Sequence, residues 1–575
     1  MVMQTAMPLK AEAREPGQPR ITPLRMTTWA MFGSTLLMVA LPMFYLLYGS
    51  FVQDGGEHAF TLGNYAEVYG GEVFLSRFWN TVVLSATVAV LAILLGSLLA
   101  WVVARTNAPG VRKAAPLLIV PIMMSNLVTC LAWIALAAPN AGLLNVLIFN
   151  LTGIRRVLDI YSFTGMVWVL VLNYAAFAFV SVLGALRSID ADLEEASYLL
   201  GVNPVKTAFS MTLPLVFPTL ASTFLLVFVF VAENFAVPLV LGTPSGYETL
   251  MSQIYYAVAD TPAKPGLAAA AGTMLLLIAL VGTLWQRRIM ANAKRYVTMG
   301  GKGGRRKTTD LGRWRYLASA VVFGYLFFSV VLPYCALVTA SLMRFVTSRL
   351  TWELWTLDNY RKLSDGTFLH LLTNSFLVAV VGGVVAVAFY FVLSYLLSTS
   401  QTRFARLTEY AAIMPTVTPS ILLAIGFLWA FVALPLPLYG TLGLIFIALV
   451  VRSLGLGVRQ SRSALLQVST DLVDAARIGG AGPLKAFRDI VAPALKAPLM
   501  SIWTLIFVQF FLDVGLSVVL YSPNSMTIPV YLWTKMNGGE VTGAFAIAVL
   551  ECTIIFAVLF VAERLFGTVR ASLNR

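Results

Sequence analysis

The sequence predicts an all-α polytopic membrane protein with twelve transmembrane helices, arranged as two tandem, parallel six-helix repeats. Three observations support this fold class. Charged residues make up only 11% of the 575 residues, whereas hydrophobic residues make up 59%. Apolar runs of about 18 residues or more recur along the chain, and each is long enough to cross a bilayer about 30 Å thick. Motifs of the first half of the chain occur again in the second half at fixed distances.

The predicted spans follow the apolar runs in order. They lie near residues 27–51, 76–104, 114–138, 161–186, 214–242, 266–288, 316–342, 370–398, 406–434, 439–462, 494–521 and 541–566. With the N-terminus in the cytoplasm, the segments on that side hold 23 of the 40 Lys and Arg residues, the outer loops hold 8, and the other 9 lie within the spans. This asymmetry follows the positive-inside rule, so the net charge of +14 indicates orientation and not a nucleic-acid partner. The even number of spans places both termini in the cytoplasm.

The spans divide the chain into four segments. These are a cytoplasmic tail at 1–26, a first half at 27–290, a linker at 291–315 and a second half at 316–575. The linker is basic and rich in glycine, which predicts a flexible connection beside anionic lipid. Its "GGKGGRRKT" is no phosphate-binding loop, because Arg306 stands where a glycine must precede Lys307. We therefore expect no ATP site in this chain.

The internal repeat is visible in three pairs of segments. "LGNYAEVY" at 62–69 matches "LDNYRKLS" at 357–364, and Pro121 matches Pro415 at an offset of 294 residues. "EEASYLLGVNPVKTAFSMTLPL", from residue 194, matches "VDAARIGGAGPLKAFRDIVAPAL", from residue 473, at an offset of 279. Because six is an even number, the two halves have the same orientation and are related by an axis along the membrane normal.

The third pair of segments shares one pattern: an acidic residue, two small residues, a glycine four positions later and a proline thirteen positions after that. Gly201 can take the left-handed conformation that ends a helix. Asn203 can cap the next helix, with Pro204 at its first position, and Gly482-Pro483 takes the same part in the second copy. The pattern predicts two loops, near 187–213 and 465–492, each with two short helices and an elbow at the cytoplasmic face.

This pattern resembles the E-A-A…G…P loop of the type I membrane subunits of ABC importers, and the resemblance covers essentially the whole chain. Asp474 replaces the family's Glu in the second copy, and Ser197 replaces its Ala in the first. In that family the loop is a coupling helix that docks into a groove on the ATPase subunit. The resemblance implies this role for Glu195, Ala196, Ser197, Gly201, Asn203, Pro204, Pro214, Asp474, Ala475, Ala476, Gly480, Pro483 and Pro493.

The resemblance also implies the partners. One fused chain would form the whole pathway in a bacterial inner membrane, with two ATPase copies at the cytoplasmic face and one substrate-binding protein outside. ATP and Mg²⁺ would bind to the ATPase, and this chain would be a transporter subunit without catalytic residues.

A second resemblance concerns the cargo. "AENFAVPLVLGTPSGYETLMSQIY" at 232–255 is similar to a segment of fused ferric-iron permeases, and 512–533 is the related element of the second half. Permeases for thiamine, polyamines and aminoethylphosphonate are built on similar frames. We therefore expect ferric iron, with those three cargoes as alternatives.

Polar groups inside the spans are the candidate pathway residues, because a charge within a membrane is costly. These candidates are Glu233, Asn234, Asp513, Arg452 and Asn173. Glu233 and Asp513 would face each other across the pseudo-twofold axis and favour a cationic substrate; the alternative is an internal salt bridge or a polar contact between helices. Arg452, at the position of Asn173, either pairs with Asp513 or snorkels to the cytoplasmic face, and we favour snorkelling.

Three further polar side chains have local interpretations. We expect Glu551 to form a local hydrogen bond in the last span. Asn80 and Asn374 stand where spans open at the outer face, which predicts helix caps.

Two other classes of protein are alternatives. A secondary transporter or channel would also be doubled, but it would more often show inverted repeats or interrupted helices. A membrane enzyme or redox subunit would need clustered histidines or acids, and this chain has two distant histidines and three separated cysteines. We therefore expect no metal site.

Overall fold

The computed structural model describes residues 23–55, 59–189, 197, 204–293, 309–347, 351–364, 366–400, 402–434, 436–467 and 492–566. These residues are mainly helical. Strand pairing among them is confined to three isolated bridges, each between two single residues.

The helices of residues 23–293 are as follows. They are α1 Pro23–Ser50, α2 Gly63–Gly70, α3 Glu72–Arg105, α4 Val111–Ala114, α5 Asn126–Ala137, α6 Leu143–Thr152, α7 Phe163–Ser188, α8 Pro204–Thr207, α9 Leu213–Ala232, α10 Leu250–Ala259 and α11 Pro265–Ala293. Short 3₁₀ segments at Ala115–Met123 and Thr243–Ser245 and π-helical turns at Ala208–Thr212 and Pro238–Gly242 connect some of them.

The described residues among 309–566 form thirteen α-helices. They are α12 Trp314–Leu326, α13 Leu332–Ser341, α14 Asp358–Arg361, α15 Thr367–Phe376, α16 Gly382–Thr399, α17 Arg403–Val417, α18 Ser420–Ala433, α19 Leu442–Arg452, α20 Leu454–Leu465, α21 Ala492–Phe511, α22 Ser517–Leu520, α23 Ile528–Asn537 and α24 Val541–Phe566. The π-helical turns Phe327–Val331 and Leu377–Val381 make α12–α13 and α15–α16 nearly continuous, and 3₁₀ turns occur at Trp352–Leu354 and Lys362–Ser364.

Eight helical stretches of the described chain are long and apolar enough to cross a membrane. Three further pairs pass the same test together but bend by 100°, 114° and 58°, so up to eleven spans result if each pair counts once. The apolar helix Leu495–Phe511 is shorter and lies in the remaining predicted span. The predicted all-α membrane fold is confirmed, whereas the sharp bends were not predicted.

The two sharpest bends have local causes. The 114° bend lies between α17 and α18, where Thr418 is extended because Pro419 disfavours a helical residue before it. The 100° bend lies before α5, where Ser125 is extended and its hydroxyl accepts a 3.1 Å hydrogen bond from the backbone N–H of Val128. This cap lets a new helix begin in a new direction.

The chain forms two compact units that cut across the two predicted halves. The first unit contains residues 50–369 and 528–556, and the second contains the described residues among 1–49, 370–527 and 557–575. Helix α1 therefore belongs with the core of the second half, and α12–α13 belongs with the core of the first. Helix α24 is divided between the units.

Side-chain contacts show this exchange of opening helices. In the second unit the rings of Trp29 and Phe404 lie 5.0 Å apart, and Gly426 lies directly against the carbonyl of Pro42. In the first unit the Tyr325 hydroxyl donates a 2.8 Å hydrogen bond to the carbonyl of Leu172. The boundaries 27–290 and 316–575 thus describe the repeat in the sequence and not the packing.

The repeat itself extends to individual hydrogen bonds. The Asn64 amide donates to the carbonyls of Ser50 and Val52, at 3.2 and 2.9 Å. Its counterpart Asn359 donates in the same way to the carbonyls of Ser341 and Met343, at 2.9 and 2.8 Å. Each asparagine therefore ties the end of an opening helix to the segment that follows it.

The principal helix crossing of each unit uses a different pair of side chains at equivalent positions. In the first unit Gly96 of α3 lies against Ala178 of α7. At the repeat offsets these positions correspond to Tyr390 of α16 and Gly457 of α20, which also lie against each other. The first crossing is a close approach of two small residues, and the second places a ring over a glycine.

Candidate functional site

The first predicted coupling loop is described in part. Helix α8 begins at Pro204, and Pro214 is the second residue of α9. Ser197 is buried, and its hydroxyl forms a 2.8 Å hydrogen bond with the hydroxyl of Thr207. A direct bond therefore joins the two arms of the loop at the position where this chain has serine instead of the family's alanine.

In the second copy the described residues begin at 492, and Pro493 is the second residue of α21. The other coupling residues lie outside the described residues; they are Glu195, Ala196, Gly201, Asn203, Asp474, Ala475, Ala476, Gly480 and Pro483.

Asp513 lies in the second unit, at the break between α21 and α22. One oxygen of its carboxylate accepts hydrogen bonds from the backbone N–H groups of Leu516 and Ser517, at 3.2 and 3.0 Å. The same oxygen accepts a 2.9 Å bond from the Ser517 hydroxyl. The carboxylate therefore caps α22 and holds the break in its observed geometry.

Arg452 ends α19 at another break of the second unit. Its guanidinium donates a 3.2 Å hydrogen bond to the carbonyl of Thr418, at the bend between α17 and α18. Its charge also acts on the carboxylate of Asp513. This hydrogen bond connects the end of α19 with the bend at Thr418 and gives the guanidinium an acceptor within the second unit, whereas the favoured prediction was that Arg452 snorkels to the cytoplasmic face. At a chain break, backbone carbonyls that lack a helical partner can accept hydrogen bonds from an arginine inside the protein. Without such acceptors, the arginine would find its acceptors at the membrane surface.

The corresponding break of the first unit follows α9. Here the Asn234 side-chain oxygen accepts a 3.0 Å hydrogen bond from the backbone N–H of Val237. Asn234 and Asp513 are related by the 279-residue offset, and each accepts from the residue three positions on. The structural counterpart of Asp513 is therefore Asn234, and not Glu233 as the pairing of two acids assumed.

Tyr174 lies beside this break, next to Asn173 on α7. Its hydroxyl donates a 3.3 Å hydrogen bond to the carbonyl of Phe230, near the side chains of Asn126 and Asn234. The Glu233 side chain lies near the same hydroxyl. Helix α5 begins at Asn126. The first unit therefore also gathers polar groups where its spans are interrupted, which the order of residues along the chain did not reveal.

Glu551 is fully buried in α24, with an exposed fraction of 0%. The Ser125 hydroxyl lies near the Glu551 carboxyl, but neither carboxyl oxygen forms a hydrogen bond with any described residue. The predicted local hydrogen bond is therefore not formed in the described part of the chain. An ionised carboxylate at such a site would be very costly, so we expect the neutral, protonated form.

Replacing Glu551 with glutamine is expected to change the free energy of unfolding by less than about 1 kcal/mol, because a carboxamide has nearly the shape of a neutral carboxyl group. Replacing it with alanine should cost about 2–4 kcal/mol, since a buried cavity results. Thermal unfolding of the purified chain in lipid nanodiscs measures both changes. A glutamine variant as unstable as the alanine variant would show that Glu551 is ionised and paired.

The segment that resembles ferric permeases anchors a loop to α3. Glu248 forms a 2.7 Å ion pair with Arg77, and the Tyr247 hydroxyl donates a 2.8 Å bond to the carbonyl of Asn80. The backbone N–H of Leu250 donates to the Thr81 hydroxyl at 2.9 Å. These motif residues therefore hold the loop against α3, and this structural role explains them without reference to the cargo.

Two asparagines inside helices form hydrogen bonds with loop segments and do not cap the helices. Asn80 lies inside α3, and its amide donates a 2.9 Å bond to the carbonyl of Glu248. Asn374 lies inside α15, and its amide donates to the carbonyls of Asn524 and Met526, at 3.1 and 3.0 Å. The predicted helix caps are wrong, because both helices begin about two turns earlier.

Comparisons with known proteins agree with this architecture. The family model described as "binding-protein-dependent transport system inner membrane component" matches the chain twice, at residues 116–295 and 393–570. The ferric transport system permease protein FbpB of Actinobacillus pleuropneumoniae is 25% identical over 551 residues, covering 94% of this chain and 79% of the relative. The Fe(3+)-transport system permease protein FbpB 2 of Haemophilus influenzae is 20% identical over 479 residues, covering 82% of this chain and 86% of the relative.

A solved bacterial ABC transporter that imports the acidic polysaccharide alginate is 21% identical to this chain, with a TM-score of 0.40. The match covers 46% of this chain and 95% of the chain of the solved transporter. The two family matches together span more than half of the residues. This chain is a multi-pass transporter subunit and not an enzyme, and it belongs to the family of inner membrane components of binding-protein-dependent transport systems.

Proposed function

We propose that this single chain forms the complete membrane pathway of an ATP-driven importer and that its cargo is ferric iron. The observation that supports the cargo is the similarity to a ferric transport system permease over 94% of this chain, which includes both copies of the family module. One polypeptide supplying both modules needs no second permease subunit.

The ATPase is the source of energy in this proposal. Two ATPase copies bind ATP and Mg²⁺ and dock on the two coupling loops at the cytoplasmic face, where both termini also lie. ATP binding closes the ATPase dimer, the loops move with it, and the pathway opens toward a substrate-binding protein outside. The hydrogen bond between Ser197 and Thr207 supports this role, because it makes the two arms of a loop move together.

The interrupted spans are the proposed lining of the pathway. Glu233, Asn234 and Asn173 contribute in the first unit, and Asp513 and Arg452 contribute in the second. Backbone irregularity inside a membrane is tolerated where it is buried in protein or lines a cavity, which supports this assignment. Glu233 and Asp513 are the two acids that would favour a cation.

Polyamines, thiamine and aminoethylphosphonate remain the alternative cargoes of the same machinery. Interrupted helices had been the feature expected of a secondary transporter or channel, and this structure contains them. That criterion therefore does not separate the classes, whereas the repeated family match favours the importer.

Proteoliposomes that contain this chain, its ATPase and its binding protein test the proposal. We expect ATP-dependent accumulation of ferric iron at least tenfold above the level without ATP. Replacing Gly201 or Gly480 with valine should abolish accumulation and remove the ATPase from the purified complex, because the elbow needs a glycine conformation. The matched control is Gly184→Ala, since nothing lies within 4 Å of the added carbon.

Two outcomes would contradict the proposal. Accumulation of putrescine, thiamine or aminoethylphosphonate without iron would overturn the cargo. Unchanged ATPase association and transport in both valine variants would overturn the coupling loops.

A further inference from the structure

A cavity of about 620 Å³ lies entirely within the first unit. Its walls come from the end of α5, the segment after α13, the 3₁₀ turn after α14, and the connection between α23 and α24. Each of these segments falls at the outer ends of the predicted spans. The cavity therefore faces the side from which cargo arrives in the predicted orientation.

Positive charge dominates the cavity. Arg344, Lys362 and Lys535 line it, and Glu540 is the acidic residue among its described lining residues. The Lys535 ammonium forms a 2.8 Å ion pair with the Glu540 carboxylate, which raises the pKa of Lys535 and keeps it charged. After this pairing the charges of Arg344 and Lys362 remain in excess.

Neither of these two side chains is used elsewhere in the described structure. Arg344 and Lys362 are both exposed, and neither forms an ion pair or side-chain hydrogen bond with a described residue. Their neighbour Arg361, by contrast, pairs with Asp358 at 3.5 Å and does not line the cavity. Two cations that line one concave space and have no partner among the described residues repel each other unless an anion lies between them.

The remaining wall adds a neutral donor and an apolar surface. Burial and the charge of Asp159 raise the pKa of the Tyr161 phenol, so its hydroxyl stays protonated and able to donate. Phe345, Ile134 and Phe545 supply apolar surface. A guanidinium, an ammonium and a phenol beside apolar walls are the groups that bind phosphate, phosphonate or carboxylate oxygens.

We propose that this cavity is a binding site for a small oxyanion, such as a phosphate, phosphonate or carboxylate group, held by Arg344 and Lys362. The site does not depend on which cargo the pathway carries. One consequence rests on the proposed function: a bare ferric ion would be repelled here, so iron would pass this cavity as a complex with an anionic ligand.

Binding of radioactive inorganic phosphate to the full chain tests the site. The chain is held in nanodiscs of zwitterionic lipid without ATPase or binding protein, so no net-anionic lipid headgroup and no partner's carboxylate competes with the added phosphate. We expect saturable binding of one phosphate per chain, weakened by added salt. The double variant Arg344→Gln, Lys362→Gln should weaken it at least tenfold, because two charge-assisted hydrogen bonds are lost.

Matched variants separate the site from general charge effects. Arg361→Gln removes an equal charge one residue away and should leave phosphate binding unchanged. Lys362→Arg should retain it. Glu540→Gln removes the negative charge and should strengthen binding, which provides a test even if the double variant fails to fold.

Equal weakening by Arg361→Gln, or no saturable binding below about 10 mM phosphate, would overturn the anion site. Failure of ferric uptake with phosphate binding intact would overturn only the cargo.

Discussion

Replacing Gly96 with alanine is expected to destabilise the protein by about 3 kcal/mol. An added Cβ would lie 2.6 Å from the Cβ of Ala178, 2.7 Å from the carbonyl oxygen of Ala175 and 2.8 Å from the backbone nitrogen of Phe179. Two of these atoms belong to the backbone of α7 and cannot rotate away. The helices α3 and α7 must therefore separate, and their close packing is lost along the crossing.

Gly184→Ala is the matched control, because Gly184 lies on α7 and an added carbon would meet nothing within 4 Å. Alanine there should be neutral or should stabilise the helix by up to about 1 kcal/mol. Denaturation of the purified chain in detergent, followed by circular dichroism, measures both variants. Equal stability of the two would mean that α3 and α7 do not approach as closely as the structure shows.

The equivalent crossing of the second unit gives an independent test of the same packing. Alanine at Gly457 would collide with the ring of Tyr390, which is fully buried and donates a 2.8 Å hydrogen bond to the carbonyl of Val450. Gly457→Ala should therefore also be costly. Combined with Tyr390→Ala it should cost less than the sum of the two single changes, because the second change removes the obstacle.

Replacing Asp513 with alanine is expected to cost about 3–5 kcal/mol and to abolish transport. The backbone N–H groups of Leu516 and Ser517 and the Ser517 hydroxyl would lose their acceptor. Arg452 would lose the carboxylate that offsets its charge. Thermal unfolding in nanodiscs gives the stability, and uptake into proteoliposomes gives the transport.

Asparagine at the same position separates the cap from the charge. Asp513→Asn keeps an acceptor for the backbone and recreates the residue found at Asn234, so it should cost about half as much as Asp513→Ala. Asn234→Ala is the matched control in the first unit, where the loss of one side-chain bond should cost about 1 kcal/mol. If asparagine and alanine at 513 are equally damaging, the charge pair with Arg452 matters more than the cap.

The break residues show where prediction from the sequence ended. The repeat offset of 279 relates Asp513 to Asn234. The high cost of an intramembrane charge instead favoured the acid Glu233 as the counterpart of Asp513. Capping depends on backbone geometry at the break, and continuous apolar runs such as 406–434 conceal that geometry. A proline preceded by threonine, at Thr418-Pro419, was the available signal for one bend, and the Ser125 cap was the signal for another.

The sequence by itself determined the helical membrane fold, the duplication and the family. Lipid leaves backbone groups no partner outside the helix, so long apolar runs have one solution, and repeated motifs record a doubled chain. Only the tertiary structure decided that the opening helices are exchanged between the two cores, that Arg452 turns inward, and that Arg344 and Lys362 line one cavity. These features depend on contacts between residues far apart in the chain, and apolar surfaces of similar composition do not specify which neighbour they meet.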